Sequence, residues 1–148
     1  MRLAVILALG GLFNFHAPRG AAAEVPREFQ IKATVLFQFS YYVEWPPAAF
    51  PSNGAPLVIG ILGQDPFRQA LENLLDKRVG GRAVKVVHFD SVDALGDCHI
   101  LYVNLPDQRE VQRALDLIRG KPILTFSDRD EFSQRGGMIS IRKYKNQL

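Results

Sequence analysis

Apolar and polar positions change rhythm several times along the chain, and each change marks an element. From Arg27 to about Val43, apolar residues at Phe29, Ala33, Leu36, Phe37 and Tyr41 follow helical spacing, and others spill outside that stripe. This predicts a long, largely buried helix. Glu44-Trp45-Pro46-Pro47 ends it, because the residue before a proline is driven out of the α region. Residues 46–56, rich in Pro, Ala, Ser, Asn and Gly, predict a loop. Leu57–Leu62 is a continuous apolar run, as expected of a strand covered on both faces. Asp65-Pro66 then supplies a cap and a first-turn proline for a helix reaching about Lys77, with Phe67, Leu71, Leu74 and Leu75 on one side.

The alternation continues. Gly80-Gly81 predicts a turn into a second strand, Val84–Phe89, and a short turn at Ser91–Leu95 leads to a third, His99–Val103. Pro106 opens a helix with Val111, Ala114, Leu115 and Ile118 on one face, and Gly120 closes it. Pro122–Phe126 reads as a fourth strand. A polar segment with a brief helical turn around Glu131-Phe132 follows, then a fifth strand at Met138–Ile141. Strands alternating with helices predict an α/β fold: a three-layer, mainly parallel five-stranded sheet with helices on both faces. A strand order of 2-1-3-4-5 fits.

The first 23 residues stand apart. Met1-Arg2 is a positive start, Leu3–Phe15 is mostly apolar, and Ala21-Ala22-Ala23 is a small-residue cleavage pattern. The apolar stretch is well short of the roughly 20 residues a membrane-spanning helix needs. Residues 1–23 therefore read as a cleavable signal peptide, and 24–148 as one domain. Without Arg2 and Arg19 the net charge falls from +3 to +1, so the pI near 9.2 is partly a property of the leader. No basic stripe interleaved with aromatics marks a nucleic-acid partner. Cys98, the single cysteine, opens an apolar strand and is expected to be a buried free thiol.

Candidate chemistry is sparse. The turn Gly60–Pro66 resembles an anion-binding strand-to-helix turn, but it lacks both the Gly-x-Gly-x-x-Gly and the P-loop patterns, and Pro66 removes a donor. Asp97-Cys98-His99 alternates across a strand, so these three cannot converge on one metal, even with His88 in a neighbouring strand. Ser127 and Asp128 follow the fourth strand while His99 opens the third, which puts them toward opposite ends of the sheet and disfavours a catalytic triad. Neither a catalytic residue, a metal nor a cofactor is expected. Trp45 with Phe50, and Phe132 with Met138, are apolar groups on or near loops, either capping the core or forming a patch for a protein partner. Gly63, Ser127 and Asp128, at the strand C-terminal ends, are the place for a small ligand if there is one.

Five stretches in register resemble the YfiR-like periplasmic proteins. They are Lys32–Phe39 running on to Val43-Glu44-Trp45-Pro46, Leu57–Phe67, Gly96–Val103, Pro122–Asp128 and Arg135–Ile141. The resemblance implies a non-enzymatic periplasmic regulator that binds and inhibits a membrane diguanylate cyclase through its periplasmic domain, lowering cyclic di-GMP and restraining biofilm growth. It also implies a homodimer and sequestration by an outer-membrane lipoprotein. On this reading Trp45, Phe132, Arg135 and Met138 are the partner-binding candidates. The alternative is a small-ligand-binding domain using Gly63, Ser127 and Asp128. The sequence departs from the family in two ways. A second cysteine, which members often carry near the position of Gly60, is missing, and so is the cysteine pair some place around the Gly-Gly turn. The usual further strand and C-terminal helix are also missing, and Arg142–Leu148 stands in their place, so the domain is expected to be C-terminally short.

Overall fold

A computed structural model describes residues 26–141; the expected signal peptide at 1–23 and the basic ending at 142–148 lie outside them. Three helices, α1 (Arg27–Phe39), α2 (Arg68–Glu72) and α3 (Gln108–Leu117), accompany six strands. The strands are β1 (Leu57–Gly63), β2 (Arg78–Val79), β3 (Arg82–Phe89), β4 (Ile100–Asn104), β5 (Leu124–Ser127) and β6 (Ile139–Ser140). They form one sheet in the order β2-β3-β1-β4-β5-β6. Every neighbouring pair is parallel except β2 and β3.

The sheet has six strands where five were expected. The extra one, β2, pairs Arg78 and Val79 with Ala83 and Arg82 across Gly80-Gly81. Both glycines have positive φ, 56° and 79°, the geometry a tight hairpin demands. Two residues are too few to show an alternating pattern, so only the turn was visible. Among the five parallel strands the expected order holds.

Strand parity divides the core. Leu57, Ile59 and Ile61 of β1 join Ile100, Tyr102 and Phe126 on one face, under Ala33, Leu36 and Phe37 of α1 and Ala70 and Leu71 of α2. Leu62, Leu101 and Val103 face the other way, against Val111, Ala114 and Leu115 of α3 and the ring of Phe132. Burying both faces is what requires the unbroken apolar runs of β1 and β4.

Two helices are shorter than their patterns suggest. After Phe39 the chain tightens, Tyr41 N–H donating to Gln38 O and Tyr42 N–H to Phe39 O. In α2, Asp65 binds Phe67 N–H (3.1 Å) but also His88 Nε2 (2.6 Å), and the helix starts only at Arg68. Past Glu72 the bonds become three-residue turns, Leu74 N–H to Leu71 O and Leu75 N–H to Glu72 O, leading the chain into the hairpin.

Candidate functional site

At the N-terminal ends of the strands, His99 holds the loop 46–56 against the sheet. Its Nδ1 accepts from Val58 N–H at 3.0 Å, so its proton sits on Nε2, which donates to Ala49 O at 3.1 Å. The ring stacks on Phe50 (4.3 Å between centroids) and meets the edge of Trp45 (6.0 Å), whose Nε1–H donates to the His99 carbonyl. Burial, helped by the nearby Arg82 charge, lowers the His99 pKa. Arg82 lies 3.7 Å from the Phe50 ring and donates to the carbonyls of Ser52, Asn53 and Ala55. Beside this assembly is a cleft of about 530 Å³, walled by residues of the loop together with Val58, Lys85, Asp97, Cys98, His99 and Lys121–Ile123.

At the C-terminal ends, the place for a ligand on the alternative reading, the polar groups are already engaged. Gly63 has φ +88° and packs so closely that an added Cβ would lie 2.4 Å from Asn104 O. Ser127 is fully buried, its hydroxyl donating to Val103 O and accepting from Arg129 N–H. Asp128 pairs with Lys32 at 3.0 Å, and Lys32 also meets Glu28. Burial works against the Lys32 ammonium, but these bonds outweigh it and raise its pKa. Tyr102 lies beneath, its buried hydroxyl beside the Asp128 carboxylate but short of good hydrogen-bond geometry. Burial first, then Asp128 by its charge and its weak hydrogen bond, and last the Asp65 charge, push the Tyr102 pKa up. The arrangement ties α1 to the sheet. His99 stands at the other end, so no nucleophile–base pair assembles with Ser127 and Asp128. Among the described residues no group of three His, Cys, Asp or Glu side chains converges as a metal site would.

The four partner-contact candidates separate. Phe132 is 1% exposed and lies under Gly137, where an added Cβ would come 2.3 Å from its ring, so it supports the loop from inside. Trp45 is half-buried against His99. Arg135 and Met138 are exposed, the former paired with Glu131, and together they border a small cleft of about 180 Å³ beside Leu115 and Ile118. A surface the sequence reading missed runs along α1. Ile31 (53% exposed) and, in part, Val35 and Phe39 (37%) lie on its outer side, Phe39 also packing edge-on to Phe126 at 5.4 Å, and Tyr42 (80%) follows in the turn beyond it. The apolar residues outside the buried stripe are therefore a second, solvent-facing stripe, and the helix is not buried all round.

Residues 29–148 match the model of the YfiR/HmsC-like family, most of the chain. The chain belongs to this family. Among curated proteins no match was found. Members of the YfiR/HmsC-like family are regulators rather than enzymes, and the family is associated with control of a membrane diguanylate cyclase.

Within this family frame, Cys98 is a free, buried thiol. Burial and the neighbouring Asp97 charge push its pKa up to about 12, against a smaller opposing effect of Lys121. The position across from it is Gly60, where a Cβ would lie 3.2 Å from Cys98 Cβ. The same Cβ would come 2.8 Å from the Phe89 ring, which fills the space a second sulfur would need. No described helix is long and apolar enough to cross a membrane.

Proposed function

We propose that the chain is a periplasmic, non-enzymatic regulator that binds the periplasmic domain of a membrane diguanylate cyclase and lowers cyclic di-GMP. The family match over residues 29–148 carries this reading. The apolar start of the chain, with its small-residue cleavage pattern, supports export. The outer stripe of α1 supplies a contact surface, because exposed contiguous apolar residues mark interaction sites. Ile31 and, just past the helix, Tyr42 are its most exposed members, and aromatic residues are typical of interface cores. Arg135 and Met138 offer a second contact on the α3 side of the sheet.

Cells carrying the cyclase should contain less cyclic di-GMP when the exported chain is present. Ile31→Glu and Tyr42→Glu should restore the nucleotide level, with stability changed by no more than about 0.5 kcal/mol at these exposed positions. An unchanged nucleotide level with a folded, exported chain would refute the reading.

A further inference from the structure

We propose that the cleft at the strand N-terminal ends binds a small amphipathic anion, an organic acid with an apolar body and a single carboxylate. This is independent of whether the chain binds a cyclase. The cleft's volume, about 530 Å³, lies in the range of roughly 300–1,000 Å³ usual for small-molecule sites.

The sheet itself leaves the space. α3 covers the later part of the strands, burying Leu62, Leu101 and Val103. Toward the strand starts the same face is open. Val58 lies there on the central strand β1, flanked by β3 and β4, yet it is only half-buried. An apolar residue at the centre of a parallel sheet is normally covered on both faces, so a partly bare one leaves room for an apolar group.

The walls are fixed in advance. Arg82 binds three carbonyls of the loop, at 3.2, 2.9 and 2.7 Å, and His99 pins Ala49 while stacking on Phe50. Both nitrogens of His99 are occupied, so it serves as a wall and not as a donor to the ligand. Such preorganisation lowers the ordering cost of binding.

Charge decides the class. Lys85 pairs in register with Val58, so its side chain leaves the sheet on the same face, beside the half-buried valine. Lys121 lines the cleft too, and neither lysine has an ion-pair partner among the described residues. Asp97 is the one carboxylate in the lining. Two free ammonium groups against one carboxylate favour an anion, and the apolar floor favours a hydrocarbon body.

Octanoate is the probe, with 1-octanol as the uncharged arm and inorganic phosphate as the anion without a body. Trp45, the single tryptophan, touches the edge of His99 and reports binding by fluorescence. Octanoate should saturate one site, octanol should bind at least tenfold more weakly, and phosphate should leave the signal unchanged. Lys85→Gln with Lys121→Gln should bring octanoate to the affinity of octanol. Both lysines are exposed, so this variant keeps the fold and tests the charge by itself. Ala48→Phe, at an exposed position on the wall, should block both ligands with the circular dichroism spectrum unchanged. No saturable octanoate binding, equal affinity for octanoate and octanol, binding of phosphate as tight as that of octanoate, or octanoate binding indifferent to both variants would overturn the proposal.

Discussion

Tyr102 and Phe132 are both enclosed, yet truncating them has unequal consequences. The Tyr102 hydroxyl is buried beside Asp128 without good hydrogen-bond geometry, while its ring packs edge-on to Phe67 at 4.7 Å. Tyr102→Phe keeps the ring and gives up only a poorly aligned contact with Asp128, so the unfolding free energy in urea should change by no more than about 1 kcal/mol. Phe132→Ala leaves a cavity beneath Gly137 and should cost about 3–5 kcal/mol in the same measurement. His99 sets a pH dependence. Its folded pKa lies below the unfolded value, so its contribution is fully present above about 6.5 and is lost as pH falls through that value toward the folded pKa. Protonation at Nδ1 would also set a proton against Val58 N–H. Stability of the natural chain should therefore fall more between pH 7.5 and 5 than that of His99→Gln; parallel profiles would contradict this. Cys98 should resist thiol reagents at pH 8 while folded and react at once in denaturant.

At the scale of elements, α3 is the most completely specified. Asp107 accepts from Arg109 N–H at 2.8 Å, and Val111, Ala114 and Leu115 are buried at the spacing the pattern implied. Asp107→Ala should lower stability by about 1 kcal/mol in thermal unfolding without altering the cleft beyond the far end of the sheet. The hydrophobic strands were equally legible, because burial on both faces leaves an unbroken apolar run. Helix α1 was harder. Periodicity identifies an apolar stripe but does not say whether it meets protein or water, and here Leu36 and Phe37 meet the sheet while Ile31 and Tyr42 meet solvent. Its attachment through Lys32 and Asp128 joins residues 96 positions apart, which no local pattern encodes.

Over the whole molecule, the same reasoning separates fold from site. A mostly parallel sheet follows from alternating segments, each readable by itself. The cleft at the strand starts combines Ala48, Val58, Lys85 and Lys121 from four separate parts of the chain, and only the folded register puts them together. Sequence rules for α/β folds pointed to the opposite end, where Ser127 and Asp128 turn out to be committed to internal bonds. That leaves the outside of the molecule, with the bare stripe of α1, as the part available to a macromolecular partner. The direct test is a calorimetric titration of the folded, leader-free chain with the isolated periplasmic domain of the membrane diguanylate cyclase from the same cell. Saturable binding, weakened at least tenfold by Ile31→Glu with Tyr42→Glu, is the predicted result. No heat and no complex from two demonstrably folded proteins would contradict it.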